Sequence, residues 1–339
     1  MADGKPLRIL LGDNVLYPLA LGDGGVLLVD AGPDTPAHEG GPESWELLGA
    51  QLGAQGIGVA DVRLVLVTHA HLDHAGLAWR WAEAGATILG GAGDVGAIAL
   101  GQASREAQRT LQLADLERHG CPREVIEGMR SPRGGRHPAG LRWPSCPAEA
   151  IEVAAGGYAL EGGRTLEVIE APGHTPGNLV GFVRETGELF SGDTLLPMSV
   201  TSVPTAGMHY PDAVAGASEG AGAARRWPSL PPFMATIERL RRLPVRRVLP
   251  GHGEVVEDPL RLFDRFEQHH ARRAERVRAA LGGGEPASAY AVAKAMFPRI
   301  PPRRLGQAIT EVLGHLDLLE AAGRVEVVRD GDGVRYRLR

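Results

Sequence analysis

The sequence predicts an α/β body over residues 1–258 followed by a small α+β unit over residues 259–339. Two observations carry this reading. First, residues 62–67 form an apolar, β-branched run that leads into a polar loop at 68–74, a helix at 75–84 and a further strand at 86–89. A strand–loop–helix–strand order implies α/β layering. Second, the tail reads helix, helix, helix, hairpin, a change of character that places the boundary near residue 258.

Each element has its own signal. Residues 7–28 hold short apolar stretches parted by Gly-Asp and Gly-Gly, the pattern of paired strands. Residues 26–30 form a buried strand ending in the sharp turn Ala31-Gly-Pro33, and residues 44–52 a short amphipathic helix. Residues 94–130 carry helical composition, and 131–148 are rich in Pro, Gly and Arg, as in a loop. Strand signals return at 158–160, 165–170, 179–184 and 188–191. Residues 197–232 are irregular; so long a connection in a compact body is either functional or unstructured. Together the stretches 94–150 and 197–232 read as insertions folding as lids. A helix at 233–242 and a strand at 246–249 then run into Pro250-Gly-His-Gly253. In the tail, Gly282-Gly-Gly284 stops a charged helix, and Leu305, Ile309, Val312, Leu316 and Leu319 keep helical spacing. Asp330-Gly-Asp-Gly333 then marks a hairpin. This layout resembles a winged helix.

Composition narrows the function classes. With 43% apolar and 23% charged residues the chain is not a disordered one. Two cysteines, Cys121 and Cys146, exclude a disulfide scaffold or a cysteine-rich metal module. No signal-peptide pattern opens the sequence and no apolar run approaches the roughly 18–20 residues of a membrane span, so the expectation is a soluble, cytoplasmic protein without membrane contact. The net charge of -5 hides a division: residues 261–339 hold 15 basic and 10 acidic side chains, the rest 21 and 31.

Twelve histidines carry most of the chemical information. His69-Ala-His71-Leu-Asp73-His74 puts four metal-ligand types in one loop after a buried strand. Imidazole and carboxylate without thiolate suit Zn²⁺, Fe²⁺ or Mn²⁺ in a reactive site. His174 in Pro172-Gly-His-Thr-Pro-Gly177, Asp193 in Ser191-Gly-Asp193 and His252 in Pro250-Gly-His252 each follow a strand through a small-residue turn. Alone each is an ordinary turn; together and in this order they form one donor set. His38, His119, His137 and His315 are isolated and read as surface or packed residues, and His269-His270 lies in a charged helix.

With those residues in place, the sequence resembles the metallo-β-lactamase superfamily, whose five motifs recur over roughly residues 15–258 as Asp30, the 69–74 cluster, His174, Asp193 and His252. The resemblance implies an αββα sandwich with the site at one edge. It implies two divalent ions, zinc foremost with iron or manganese as alternatives. His69, His71 and His174 would hold the first ion, Asp73, His74 and His252 the second, and Asp193 would bridge them. Asp30 would orient the metal loop. The bridging acid argues against antibiotic hydrolysis, since true zinc β-lactamases lack it, and the imidazole of His71 argues against redox diiron chemistry. The tail resembles that of the glyoxalase II-related small β-lactamase-like hydrolases.

The expected reaction is attack by metal-activated hydroxide on a small-molecule ester, thioester or lactone. The alternative is a metal-dependent endoribonuclease or phosphodiesterase whose basic tail meets nucleic acid, with Arg303 and Arg304 opening its third helix. A homodimer fits either. Asp73 is a catalytic candidate as proton acceptor, and Tyr210, with His209, as donor to an oxyanion. Trp143, Met198, Met208, Tyr210 and Trp227 are candidates to line an acyl pocket, against the plainer reading that they pack the insertions onto the body.

Overall fold

In the computed structural model the structure describes residues 6–37, 41–130, 140–198, 209 and 226–339. Two sheets stack face to face. The first has strand order β1-β2-β3-β4-β5-β6: β1 (Ile9–Leu11), β2 (Asn14–Ala20), β3 (Val26–Val29), β4 (Val62–Leu66), β5 (Thr87–Gly90) and β6 (Ile151–Val153). The second has order β11-β10-β9-β8-β7: β7 (Gly157–Leu160), β8 (Arg164–Glu170), β9 (Leu179–Val183), β10 (Glu188–Gly192) and β11 (Arg247–Pro250). Strands β3 to β6 run parallel, and so do β10 and β11; the other neighbours are antiparallel.

Side-chain alternation explains the layers. Leu27, Val29, Leu66 and Leu89 point inward to meet Leu166, Val183, Phe190 and Leu249 of the facing sheet. Their neighbours Leu28, Val65 and Ile88 point outward, against Leu48 and Leu52 of α1 (Ser44–Ala54) and Trp81 of α3 (Ala78–Glu83). On the far side Val180, Phe182, Leu189 and Val248 meet Phe233, Ile237 and Leu240 of α7 (Leu230–Arg241) and Phe263 and Phe266 of α8 (Pro259–Leu281). A strand buried on both faces reads as an unbroken apolar run, the pattern seen at 26–29; at 62–66 the exposed Arg63 interrupts the run near its start. The arrangement is α, β, β, α, as expected. Where one helix over 75–84 was expected, two short ones form, α2 (Leu72–Ala75) and α3, so the helical turn begins inside the histidine loop.

A third core lies beyond the sandwich. The 94–130 stretch makes α4 (Val95–Leu100), α5 (Gln102–Arg118) and α6 (Arg123–Arg130). Helices α5 and α6 bury Leu113, Leu116 and Ile126 against Val277 of α8, Val292 of α9 (Ala289–Met296) and Ile309 and Leu313 of α10 (Pro302–Ala321). The hairpin of β12 (Val325–Asp330) and β13 (Gly333–Leu338) completes this core through Val325, Val334 and Tyr336. Helix α8 serves both regions, its first turns packing on α7 and its last turns on α9 and α10. No helix among the described residues is long and apolar enough to cross a membrane.

Candidate metal centre

Every donor predicted from the sequence follows a strand. His69, His71, Asp73 and His74 follow β4, His174 follows β8, Asp193 follows β10 and His252 follows β11. In sheets with parallel neighbours the carboxyl ends of strands open onto one edge, where ligands bind. The structure brings all seven donors to that edge.

They form three overlapping groups, His69/His71/His174, His69/His74/Asp193 and Asp73/His74/His252, each with its donor atoms within 4.8 Å of one another. In the first, His71 Nδ1 lies 3.0 Å from both His69 Nε2 and His174 Nε2. In the last, His74 Nε2 lies 3.2 Å from His252 Nε2 and 3.7 Å from Asp73 Oδ2. Asp193 stands between: Oδ1 is 3.3 Å from His74 Nε2 and 3.4 Å from His252 Nε2, and Oδ2 is 3.8 Å from His174 Nε2. His69 and His74 are wholly buried, while Asp73 and His252 are partly open, so the cluster meets solvent on their side.

Partners behind the rings set which nitrogen faces inward. Thr68 Oγ1 donates to Asp30 Oδ1 at 2.8 Å, so it is free to accept from His69 Nδ1 at 3.1 Å, and the His69 Nε2 lone pair points to the centre. His74 Nδ1 donates to Asp30 Oδ2 at 2.8 Å and His252 Nδ1 to the Asp13 carbonyl at 2.9 Å, which leaves both Nε2 lone pairs inward. Asp30 also accepts the Thr68 backbone N–H at 2.8 Å. It is the non-glycine residue with positive φ (66°) among the described residues, a conformation that costs on the order of 1–3 kcal/mol and concentrates at functional sites. Gly251 shows why a turn here must be small: a Cβ would lie 2.7 Å from His74 Cε1 and 3.1 Å from Asp193 Oδ1.

The electrostatics fit a cation. Burial, reinforced by His174, lowers the His71 pKa to about 3, and burial with the other imidazoles holds His69 well below its usual value; both stay neutral and able to share a lone pair. For His74, burial is outweighed by Asp30, Asp193 and Asp73, which raise it well above the usual imidazole value. For Asp193, burial is outweighed by His74, which holds the carboxyl below its usual range. Asp193 Oδ1 is buried, yet among the described residues it accepts no hydrogen bond of good geometry. The neutral His69 and His71 nitrogens, converging at 3.0 Å beside a buried carboxylate oxygen without a hydrogen bond among the described residues, make a donor set matched to divalent metal.

One positioning residue escaped the sequence reading. Asp94 sits after β5 in Gly90-Gly-Ala-Gly-Asp94 and accepts from the Ala70 N–H (2.8 Å), Thr175 Oγ1 (2.6 Å) and the Gly177 N–H (2.8 Å). It thereby ties the histidine loop to the His174 turn. Its signal, a strand running into a glycine-rich turn with an acid, matches that of Asp193 and His252.

Other expectations resolve differently. Tyr210 and Met208 lie outside the described residues, as do His38 and His137. His209 is fully buried with Nε2 2.8 Å from Asp115 Oδ2 of α5, so it packs the insertion and is closed to an oxyanion. Trp143 belongs to the core outside the first sheet and Trp227 is buried; of the proposed pocket lining, Met198 alone is exposed among the described residues. Packing, not acyl binding, explains the two tryptophans.

Known proteins resemble this chain in sequence and fold. The sequence model described as "Metallo-beta-lactamase superfamily" matches residues 14–252. The Bacillus subtilis (strain 168) protein "Probable metallo-hydrolase YqjP" is 28% identical over 332 residues, 98% of this chain and 95% of that one. A "Hydroxyacylglutathione hydrolase" of Synechococcus sp. (strain JA-3-3Ab) is 35% identical over 74 residues, 22% of this chain and 25% of that one. Among solved structures, a metallo-beta-lactamase family protein from Thermus thermophilus superposes with a TM-score of 0.69 at 26% identity, covering 99% of this chain and 98% of that one. With a sandwich that carries the donors at one edge and a family match spanning all of them, the chain belongs to the metallo-β-lactamase superfamily and is a metal-dependent hydrolase.

Proposed function

We propose that the chain hydrolyses small acyl substrates, thioesters foremost and esters or lactones as the neighbouring class, with a dinuclear centre. The observation that carries this reading is the place of Asp193, whose two oxygens face imidazoles of both donor groups. His69, His71 and His174 would hold one ion, Asp73, His74 and His252 the other, with Asp193 between them. Zinc suits these donors, with iron or manganese as alternatives. When bound, the ions supply Lewis acidity toward a carbonyl and a water whose pKa falls toward about 7.

The chain's own residues set up that chemistry. Thr68, Asp30 and the Asp13 carbonyl hold three rings in the tautomer that aims Nε2 inward. Asp73 lies at the open side; burial raises its pKa, but His74 outweighs that and keeps the carboxyl below the usual range. A carboxylate so firmly ionised is a ligand and a hydrogen-bond acceptor for an incoming water, and a weak base. That ranks Asp73 as ligand before proton acceptor.

The thioester preference rests on the partial resemblance to the hydroxyacylglutathione hydrolase, whose name describes an S-acyl substrate. A panel of thioesters, lactones, phosphodiesters and RNA offered to metal-reconstituted protein tests it. Thioesters turned over fastest, with little response to salt, is the expected result. RNA cleaved fastest, with affinity collapsing between low and physiological salt, would replace this reading with the nuclease one.

A further inference from the structure

The loop that carries Asp193 runs on to Pro197 and Met198, and these two side chains rest on Gly253: a Cβ there would lie 2.5 Å from Met198 Cε and 3.1 Å from Pro197 Cγ. Gly253 adjoins His252, so Pro197 comes within roughly 9 Å of the His252 Cα, given a 3.8 Å step between neighbouring Cα atoms. At Pro197 a cleft of about 180 Å³ begins, lined by Pro197, Val256, Asp258, Arg261, Leu262 and Arg265. Ligand pockets for whole molecules run to about 300–1,000 Å³, so this one suits a single group of a larger substrate.

Its floor is apolar and fixed. Leu262 is buried in the core under α7, and Val256 is bonded both ways to Val248 of β11 at 2.9 Å. Its walls are largely the apolar stems of two arginines, whose charged ends are exposed at the rim. Arg261 and Arg265 are one helical turn apart on α8, both exposed, and side chains four residues apart lie on one helix face. Arg265 donates Nη1 to the Pro197 carbonyl at 3.1 Å, which holds its fork at the cleft. Among the described residues neither guanidinium is paired with a carboxylate. Asp258, the acid in the lining, caps α8 by accepting the Arg261 backbone N–H at 3.1 Å. Nearby Glu254 is taken by Arg8 at 2.7 Å. Two guanidiniums that have no carboxylate partner among the described residues, at the rim of an apolar cleft on an otherwise acidic body, suit an anion. Guanidinium matches carboxylate and phosphate through paired hydrogen bonds.

We propose that Arg261 and Arg265 form a specificity subsite for an anionic oxyacid group, carboxylate or phosphate, carried on the part of the substrate remote from the reacting carbonyl. This rests on the acyl-hydrolase reading for its substrate but not for its anion. The subsite also gives α8 a functional share in the site, since this helix closes one side of the cleft and continues into the tail core.

The test compares wild type with an Arg261→Ala/Arg265→Ala double variant, both metal-loaded. S-acetylglutathione carries carboxylates, acetyl-coenzyme A carries phosphates and S-phenyl thioacetate carries neither. The ratio of kcat/KM for a charged substrate over the neutral one is expected to fall about 10- to 100-fold in the variant, through KM, because charge-assisted hydrogen bonds are lost. The substrate showing the fall identifies the oxyacid. An unchanged ratio for both overturns the subsite. Binding of pyrophosphate and of tricarballylate by calorimetry reads the subsite independently of turnover. At least one should bind about 10-fold more weakly to the variant, and equal affinities for both overturn the proposal. If wild type hydrolyses no thioester while this binding difference persists, the substrate assignment fails and the anion site stands.

Discussion

Two histidine pairs in this molecule have the same nitrogen–nitrogen distance and opposite chemistry. His74 and His252 approach to 3.2 Å at the sheet edge, and His270 of α8 and His315 of α10 approach to 3.2 Å between helices. Around the first pair stand Asp30, Asp73 and Asp193. Around the second stand Phe233 and Phe266, with the His315 Nδ1–H donated to the Glu311 carbonyl at 2.7 Å. Carboxylates raise the His74 pKa well above normal; burial lowers His270 to about 3 and His315 to about 4. The second pair is a neutral polar contact packed among aromatic rings, with His270 Nε2 left without a hydrogen-bond partner among the described residues. Histidine proximity does not define a metal site; carboxylate company and convergent lone pairs do.

That contrast can be broken at several points. Asp193→Ala, which removes the oxygens shared by both groups, should lower activity by more than about 100-fold, beyond the loss typical of an outer partner, and reduce bound metal on elemental analysis. Asp30→Asn keeps the shape but weakens the hold on His74. A loss of about 10- to 100-fold in metal affinity is expected, measured by chelator competition. Metal uptake at His74 must displace a proton, because its folded pKa is raised, so affinity should weaken as pH falls. Asp30→Asn removes the largest charge that raises it and should flatten that dependence; an unchanged pH profile would contradict the assigned role. Asp94→Ala frees the His174 turn from the histidine loop, and activity should fall about 10-fold with metal content partly kept. Smallest of all, His270→Leu should leave metal content and activity within about two-fold, since an apolar replacement removes a neutral hydrogen bond without stranding a charge.

The donors were legible because they follow strands in short, recognisable turns, where sequence neighbours remain spatial neighbours. The layers were legible too: the continuous apolar run at 26–29 and the run of Leu and Val at 64–67 allow little besides a buried strand. Long-range pairing was not. Nothing local reveals that Asp94 reaches Thr175, that His209 meets Asp115, or that α5 and α6 share a core with the tail. For Trp143 the sequence left pocket lining open beside the plainer packing reading, which the structure bears out, since a tryptophan in an irregular stretch shows no period from which burial can be read.

Whether the seven converging side chains hold two catalytic ions is tested most directly by titrating chelated protein with Zn²⁺ while following thioester hydrolysis. The predicted result is negligible activity without metal and a rise that saturates at two equivalents. Full hydrolysis after exhaustive chelation would contradict it.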